Sequence, residues 1–199
     1  MVGDRDGGQL ADEVEDVGDR GAHARRLGVA ADAVAVTRAG PVDAALTDLA
    51  DLLARSSSES RASRFLTGTS RTPGPRFVRR LLDVPGGGAL LARVGGEAVG
   101  HAMWAPVPGR ETDEGPAVEV ALLVRDDHHR RGVGARLLDE LGAWLLEVGV
   151  LRVRVTTLAS NAGVLALVRR DAPDASIVRD GPELTFTLDL HRVVARRSH

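Results

Sequence analysis

A short apolar run leading into polar residues over 33–38 (A-V-A-V-T-R) predicts a first strand. Gly40-Pro41 ends it, and the period then changes. Leu46, Leu49, Leu52 and Leu53 recur at the spacing of one helix face, so 42–55 reads as a helix with Pro41 near its start, where a missing N–H costs little. Shorter helices are predicted over 58–66 and 76–83, separated by the Thr72-Pro73-Gly74-Pro75 loop. Gly86-Gly87-Gly88 opens a strand over 89–94, and Gly95-Gly96 reads as a tight hairpin turn into a second strand over 98–105. The Pro/Gly-rich stretch 106–116 reads as a loop. A strand over 117–124 leads through a charged loop to a long helix over 132–148, whose Val133, Leu137, Leu138, Leu141, Trp144, Leu145 and Val148 form one apolar stripe. A strand over 151–158, a helix over 161–170 and a hairpin over 176–190, broken at Gly181-Pro182, complete the pattern.

This succession predicts a mixed α/β fold: a mostly antiparallel central sheet with helices on both faces. The early hairpin makes its centre antiparallel. The later strand–helix–strand unit makes its two strands parallel, with a right-handed crossover. Residues 1–32 are rich in Gly, Asp, Glu and Ala without an apolar period and read as a flexible acidic tail. Residues 33–191 then form a single domain, and 192–199 a basic C-terminal tail that frays.

Composition narrows the chemistry. With 43% hydrophobic and 27% charged residues, the chain has the make-up of a globular protein, and no apolar run is long enough to span a bilayer. The net charge of −2 argues against broad nucleic-acid binding. Cysteine is absent, which removes disulfides, thiol nucleophiles and thiolate metal sites, and a cytoplasmic location is the expectation that follows. Lysine and tyrosine are absent as well, so no phenol is available as a general acid. His128 and His129 adjoin Asp126 and Asp127, but adjacent histidines point apart and no spaced partner completes a ligand set, so no metal is expected. A phosphate-binding Lys loop of the P-loop type and a Gly-x-Ser-x-Gly nucleophile elbow are both missing.

The most specific segment is His129-Arg130-Arg131-Gly132-Val133-Gly134, a loop that opens the long helix. Backbone N–H groups at a helix N-terminus favour an anion, which makes a phosphate-bearing ligand the first hypothesis. With the preceding strand, the following helix and the element order, this loop resembles the acetyl-CoA-binding core of the GNAT acyltransferases over roughly 36–190. The family signature is Gln or Arg, two residues, Gly, one residue, then Gly or Ala. Both glycines match, and His129 stands where Gln or Arg is usual.

The resemblance implies acetyl-CoA as cosubstrate, without a metal. Backbone N–H groups from Arg130, Arg131, Gly132, Val133, Gly134 and Ala135 would hold its pyrophosphate. The strand edge at Leu122, Leu123 and Val124 would pair with the pantetheine arm, and one such N–H would stabilise the thioester oxyanion. Asn161, the one asparagine in the chain, is a good helix N-cap and opens a segment similar to the family's second conserved helix, where Asn helps to hold pantetheine. Val168 stands where many members place a tyrosine acid. Glu119, a lone carboxylate within an apolar strand, is the candidate base; burial would raise its pKa toward that of a useful proton acceptor. Ser63-Arg64-Phe65-Leu66 and the ending E-L-T-F-T-L-D-L resemble the Pat-like protein-lysine acetyltransferases of actinobacteria. The implied reaction is acetyl transfer to a primary amine, on a protein lysine or a small molecule, by direct attack in a ternary complex. The alternative is a non-catalytic acyl-CoA-binding module of the same fold.

Overall fold

Among the described residues, seven strands form one sheet in the order β1-β2-β3-β4-β5-β7-β6. The structure is a computed structural model that describes residues 33–66, 73–112 and 115–197. The acidic stretch expected over 1–32 lies outside the described residues. The strands are β1 (Ala35–Ala39), β2 (Gly88–Val94), β3 (Glu97–Thr112), β4 (Gly115–Val124), β5 (Arg152–Leu158), β6 (Ser176–Asp180) and β7 (Glu183–Asp189). The helices are α1 (Asp43–Arg55), α2 (Ser58–Phe65), α3 (Pro75–Leu82), α4 (Val133–Glu147), α5 (Ala162–Asp171) and α6 (Leu190–Arg197). Every strand pair is antiparallel except β4 with β5, which the α4 crossover makes parallel. The fold class is therefore the mixed, mostly antiparallel one that the pattern predicts.

Strand periodicity sorts β4 between two cores. Val118, Val120 and Val124 face α4, where they pack with Val133, Leu137, Leu141 and Leu145. Leu123 faces the other way, into a cluster with Leu49, Leu52 and Leu53 of α1 and Val78, Leu81 and Leu82 of α3. Glu119 and Ala121 share its parity and so its face. Burying these two leucine-rich faces is the main favourable term in folding. At Gly88 a Cβ would lie 2.0 Å from the Trp144 ring, and at Gly87 2.1 Å from the Trp104 carbonyl oxygen, so the glycine run is dictated by close packing.

Two predictions are corrected. The stretch 106–116 is not a loop: β3 and β4 extend through it, with Glu111 opposite Pro116 and Thr112 opposite Gly115. Pro108 is tolerated because it falls where the register shifts between Pro106 and Glu111, a bulge that releases the ladder where proline has no N–H to give. Residues 190–197 do not fray either; they form α6. Leu190 and Val194 pack in the α4 cluster, and Val193 packs with Val168 and Phe186. The arginines are tied down electrostatically, Arg192 and Arg196 to Asp174 and Arg197 to Asp139 and Asp171.

A candidate acyl-donor cleft

β4 and β5 pair over only three positions, Ala117 with Arg152, Val118 with Val153 and Glu119 with Arg154. Beyond them the strands part: residues 120–124 continue to pair with β3, and 155–158 with β7. The middle of the sheet thus carries an unpaired edge. Such an edge is a template for hydrogen bonding by an added extended chain. A cleft of about 1000 Å³ opens there, lined on one wall by Leu122, Leu123 and Val124 and on the other by Thr156, Thr157 and Asn161. The Thr157 hydroxyl is buried without a hydrogen-bond partner in a residue only 2% exposed. A polar atom left unpaired at that depth is costly unless a ligand supplies the missing bond.

The Gly/Arg loop stands at the mouth of this cleft. A 3-10 turn over Asp126–His128 leads to His129, whose Nε2 lies 2.8 Å from the Val124 carbonyl oxygen. That contact pins the loop to the end of β4 and gives the first signature position an anchoring role. Arg130 and Gly132 both have positive φ, 58° and 82°, and Gly132 is the N-cap of α4. The bond from Arg136 N–H to the Gly132 carbonyl (2.9 Å) is the one that reaches back to the cap. It leaves the N–H groups of Val133, Gly134 and Ala135 without intrahelical acceptors, at the positive end of the helix. A Cβ on Gly134 would sit 3.7 Å from both Leu122 and Val124, so the second glycine directly abuts the free strand edge.

Ion pairs brace the loop from behind. The buried Arg125 guanidinium meets Glu97 at 2.9 Å and Asp127 at 2.6 Å. Asp126 accepts the Ser57 N–H (2.8 Å) and the Ser57 and Ser60 hydroxyls (2.7 Å each), which ties the start of α2 to the loop. Partial burial opposes ionisation of Asp126, but these three bonds outweigh it and hold the carboxyl at about 2. His128 and His129 have separate partners, and among the described residues no group of three or more His, Cys, Asp or Glu side chains could hold a metal.

The expected site residues are only partly assembled. Leu122, Leu123, Val124, Arg130, Gly134 and Asn161 line the cleft; Arg131, Gly132, Val133 and Ala135 do not, although they belong to the same loop and helix turn. Asn161 caps α5 through Oδ1, which accepts the Val164 N–H at 3.2 Å, and its amide donors remain for a ligand. Val168 is buried against Ala172 and Phe186, where it serves packing. Glu119 is exposed rather than buried, on the α1–α3 face, and does not line the cleft. The burial expected of it is therefore not found.

Arg64 and His101 lie on the same face as Glu119. The Arg64 Nε and Nη2 atoms are buried and have no hydrogen-bond partner, yet the residue lines the cleft. Burial lowers the guanidinium to about 10, against the attraction of Glu119. His101 is 1% exposed, with Nε2 3.3 Å from the Leu81 carbonyl oxygen. Burial first, and the positive Arg64 second, lower its pKa to about 3, so it is neutral at physiological pH. Sequence patterning gave Arg64 no site role, since an arginine in a short polar helix has the look of a solvated charge.

An unpaired strand edge beside free helix-terminal amides is the geometry for a phosphate-bearing, amide-bearing cosubstrate. A family model described as the acetyltransferase (GNAT) family matches residues 51–171. The chain belongs to this family. Its fold is similar to the GNAT domain of PAT from S. lividans, with 23% identity and a TM-score of 0.65 over 80% of this chain and 97% of that one. It is also similar to the yncA protein of Salmonella typhimurium, solved with its cofactor acetyl-CoA (20% identity, TM-score 0.54, 80% and 95% covered). A third similar structure is the ribosomal-protein-S18-alanine N-acetyltransferase of Escherichia coli (15% identity, TM-score 0.58, 79% and 94% covered). No curated protein matches by sequence. GNAT acetyltransferases use acetyl-CoA and act on amine acceptors. No helix among the described residues is long and apolar enough to cross a membrane.

Proposed function

We propose that this GNAT protein transfers an acetyl group from acetyl-CoA to a primary amine, with Glu119 as the base. The observation that carries the reading is the parting of β4 from β5 after Glu119 and Arg154, beside the free N–H groups of Val133, Gly134 and Ala135. The residues present fit the donor. The α4 amides suit its pyrophosphate, while the edge at 120–124, the Thr157 hydroxyl and the Asn161 amide suit the amide groups of its arm. Bound acetyl-CoA supplies a carbonyl carbon activated by a thiol leaving group.

An alkylammonium, with a pKa of about 10.4, must lose a proton before it can attack. Glu119 is the last residue of the β4–β5 join, and the next residue of its strand lines the cleft. From there it takes that proton, directly or through water. The amine nitrogen then forms the N–C bond as the C–S bond breaks, and its second proton passes to water. With Val168 in place of an acid, the sulfur leaves as thiolate and is protonated from water. A thiol pKa of about 8.5 makes that leaving group tolerable at neutral pH.

The test is release of CoA thiol from acetyl-CoA with a panel of amines and lysine peptides. The protein's lack of cysteine removes its own background from a thiol reagent. Glu119→Gln should lower kcat/KM by roughly 10²–10⁴-fold while CoA affinity by calorimetry stays the same. Unchanged turnover in the variant removes Glu119 as the base. Tight CoA binding with no turnover on any amine makes the chain a non-catalytic acyl-CoA-binding module.

A further inference from the structure

We propose that the acceptor is a zwitterion, an amine that also bears a carboxylate, and that Arg64 binds the carboxylate while Glu119 faces the ammonium. The inference deepens the transferase reading above and rests on it. Two buried guanidinium nitrogens without partners, Nε and Nη2, belong to a residue that lines the cleft. Donors desolvated in this way are costly to leave unmet, and a guanidinium fork matches a carboxylate in plane and in charge. No ion pair joins Arg64 to Glu119, so the carboxylate already present does not meet the need; the two attract each other only through space.

The neighbours decide what kind of anion fits. Glu119 places a negative charge on the same face, which disfavours a dianionic phosphate there but favours a ligand with a positive end. His101, buried on the same face, is neutral and adds no second cation. A molecule with a carboxylate at Arg64 and an ammonium at Glu119 matches both signs at once. The proton then passes from that ammonium to Glu119, and the nitrogen it leaves is the nucleophile of the transfer already written. Specificity follows because a neutral amide in place of the carboxylate leaves the fork unpaired again.

The experiment compares matched acceptors, L-alanine with L-alaninamide, β-alanine with β-alaninamide, and L-lysine with L-lysinamide, in wild type, Arg64→Gln and Arg64→Lys. The wild type should favour each acid over its amide by about ten- to a hundredfold in kcat/KM. Arg64→Gln should erase that preference, Arg64→Lys should restore part of it, and both should bind CoA and melt as the wild type does. Equal turnover of acids and amides by the wild type overturns the proposal, as does a preference that survives in Arg64→Gln. If no amine turns over at all, the transferase reading fails on its own. Titration of β-alanine into the CoA-loaded protein then decides the carboxylate site: Arg64-dependent binding supports it and no binding overturns it.

Discussion

Gly132 holds φ at 82°, where a Cβ crowds the following carbonyl oxygen, so Gly132→Ala should cost about 1–2 kcal/mol of stability. The same change shifts the amides it positions, and CoA affinity should fall with it; urea unfolding and calorimetry read the two effects separately. His101 makes a different prediction, about pH. Its folded pKa of about 3 lies below the unfolded value near 6.5, so between these limits the unfolded chain binds the extra proton. Its contribution to stability is therefore full above pH ~6.5 and lost as the pH falls, by up to about 1.4 kcal/mol per pH unit. Urea midpoints measured from pH 7 to 4 should show that slope, and His101→Gln should flatten it. An unchanged slope means that another group governs acid unfolding. Asp126 acts lower, with stability lost only as the pH falls from about 4 toward 2.

At the scale of elements, α6 shows where patterning falls short. Leu190, Val193 and Val194 sit at helical spacing, but in so short a segment with three arginines the spacing carries little weight against the charge. What orders the helix is long-range. Arg197 reaches Asp171 on α5 at 2.6 Å, Asp139 on α4 at 2.7 Å and the Ala135 carbonyl oxygen at 3.0 Å. None of these partners is near in sequence. The Asp171 side chain is only 8% exposed, so Arg197→Ala leaves a buried carboxylate with Arg170 alone and should cost about 1–3 kcal/mol. Arg197→Ala combined with Asp171→Asn should recover part of that loss, and a urea double-mutant cycle measures the coupling. Strict additivity of the two changes would show that the pair is not coupled. By contrast, α4 and the glycines at its start were legible because periodicity and turn chemistry agree locally there. The bulge that turns 106–116 into strand was not, since proline and glycine signal a loop unless register is known.

For the whole molecule, the fold class and the order of elements as far as β7 could be read from apolar period and turn signals together, whereas the cleft could not. Whether β4 and β5 pair along their length or part after three residues is a property of the sheet's twist and crossover, and no residue type announces it. Arg64 was hidden for the same reason: its burial is set by the layer that α1–α3 lay on the sheet. The parted strands make a prediction of their own. Acetyl-CoA that satisfies both walls should stabilise the native state by mass action, by about 2.7 kcal/mol at a hundred times its Kd. The melting temperature should rise accordingly, and amides at 120–124 should gain protection from hydrogen exchange. Stabilisation without protection there would place the ligand elsewhere.

The three-position join between β4 and β5 also sets an order of events in folding. β2, β3 and β4 pair with close neighbours in sequence, and β6 with β7 likewise, so these hairpins close small loops. The parallel join must wait for the α4 crossover to close a longer one, against little hydrogen-bond return. Val153→Ala in the join should then speed unfolding and leave the folding rate nearly unchanged, whereas Val99→Ala in β3 should slow folding. The gap after Glu119 thereby borders a seam that should form later than these hairpins.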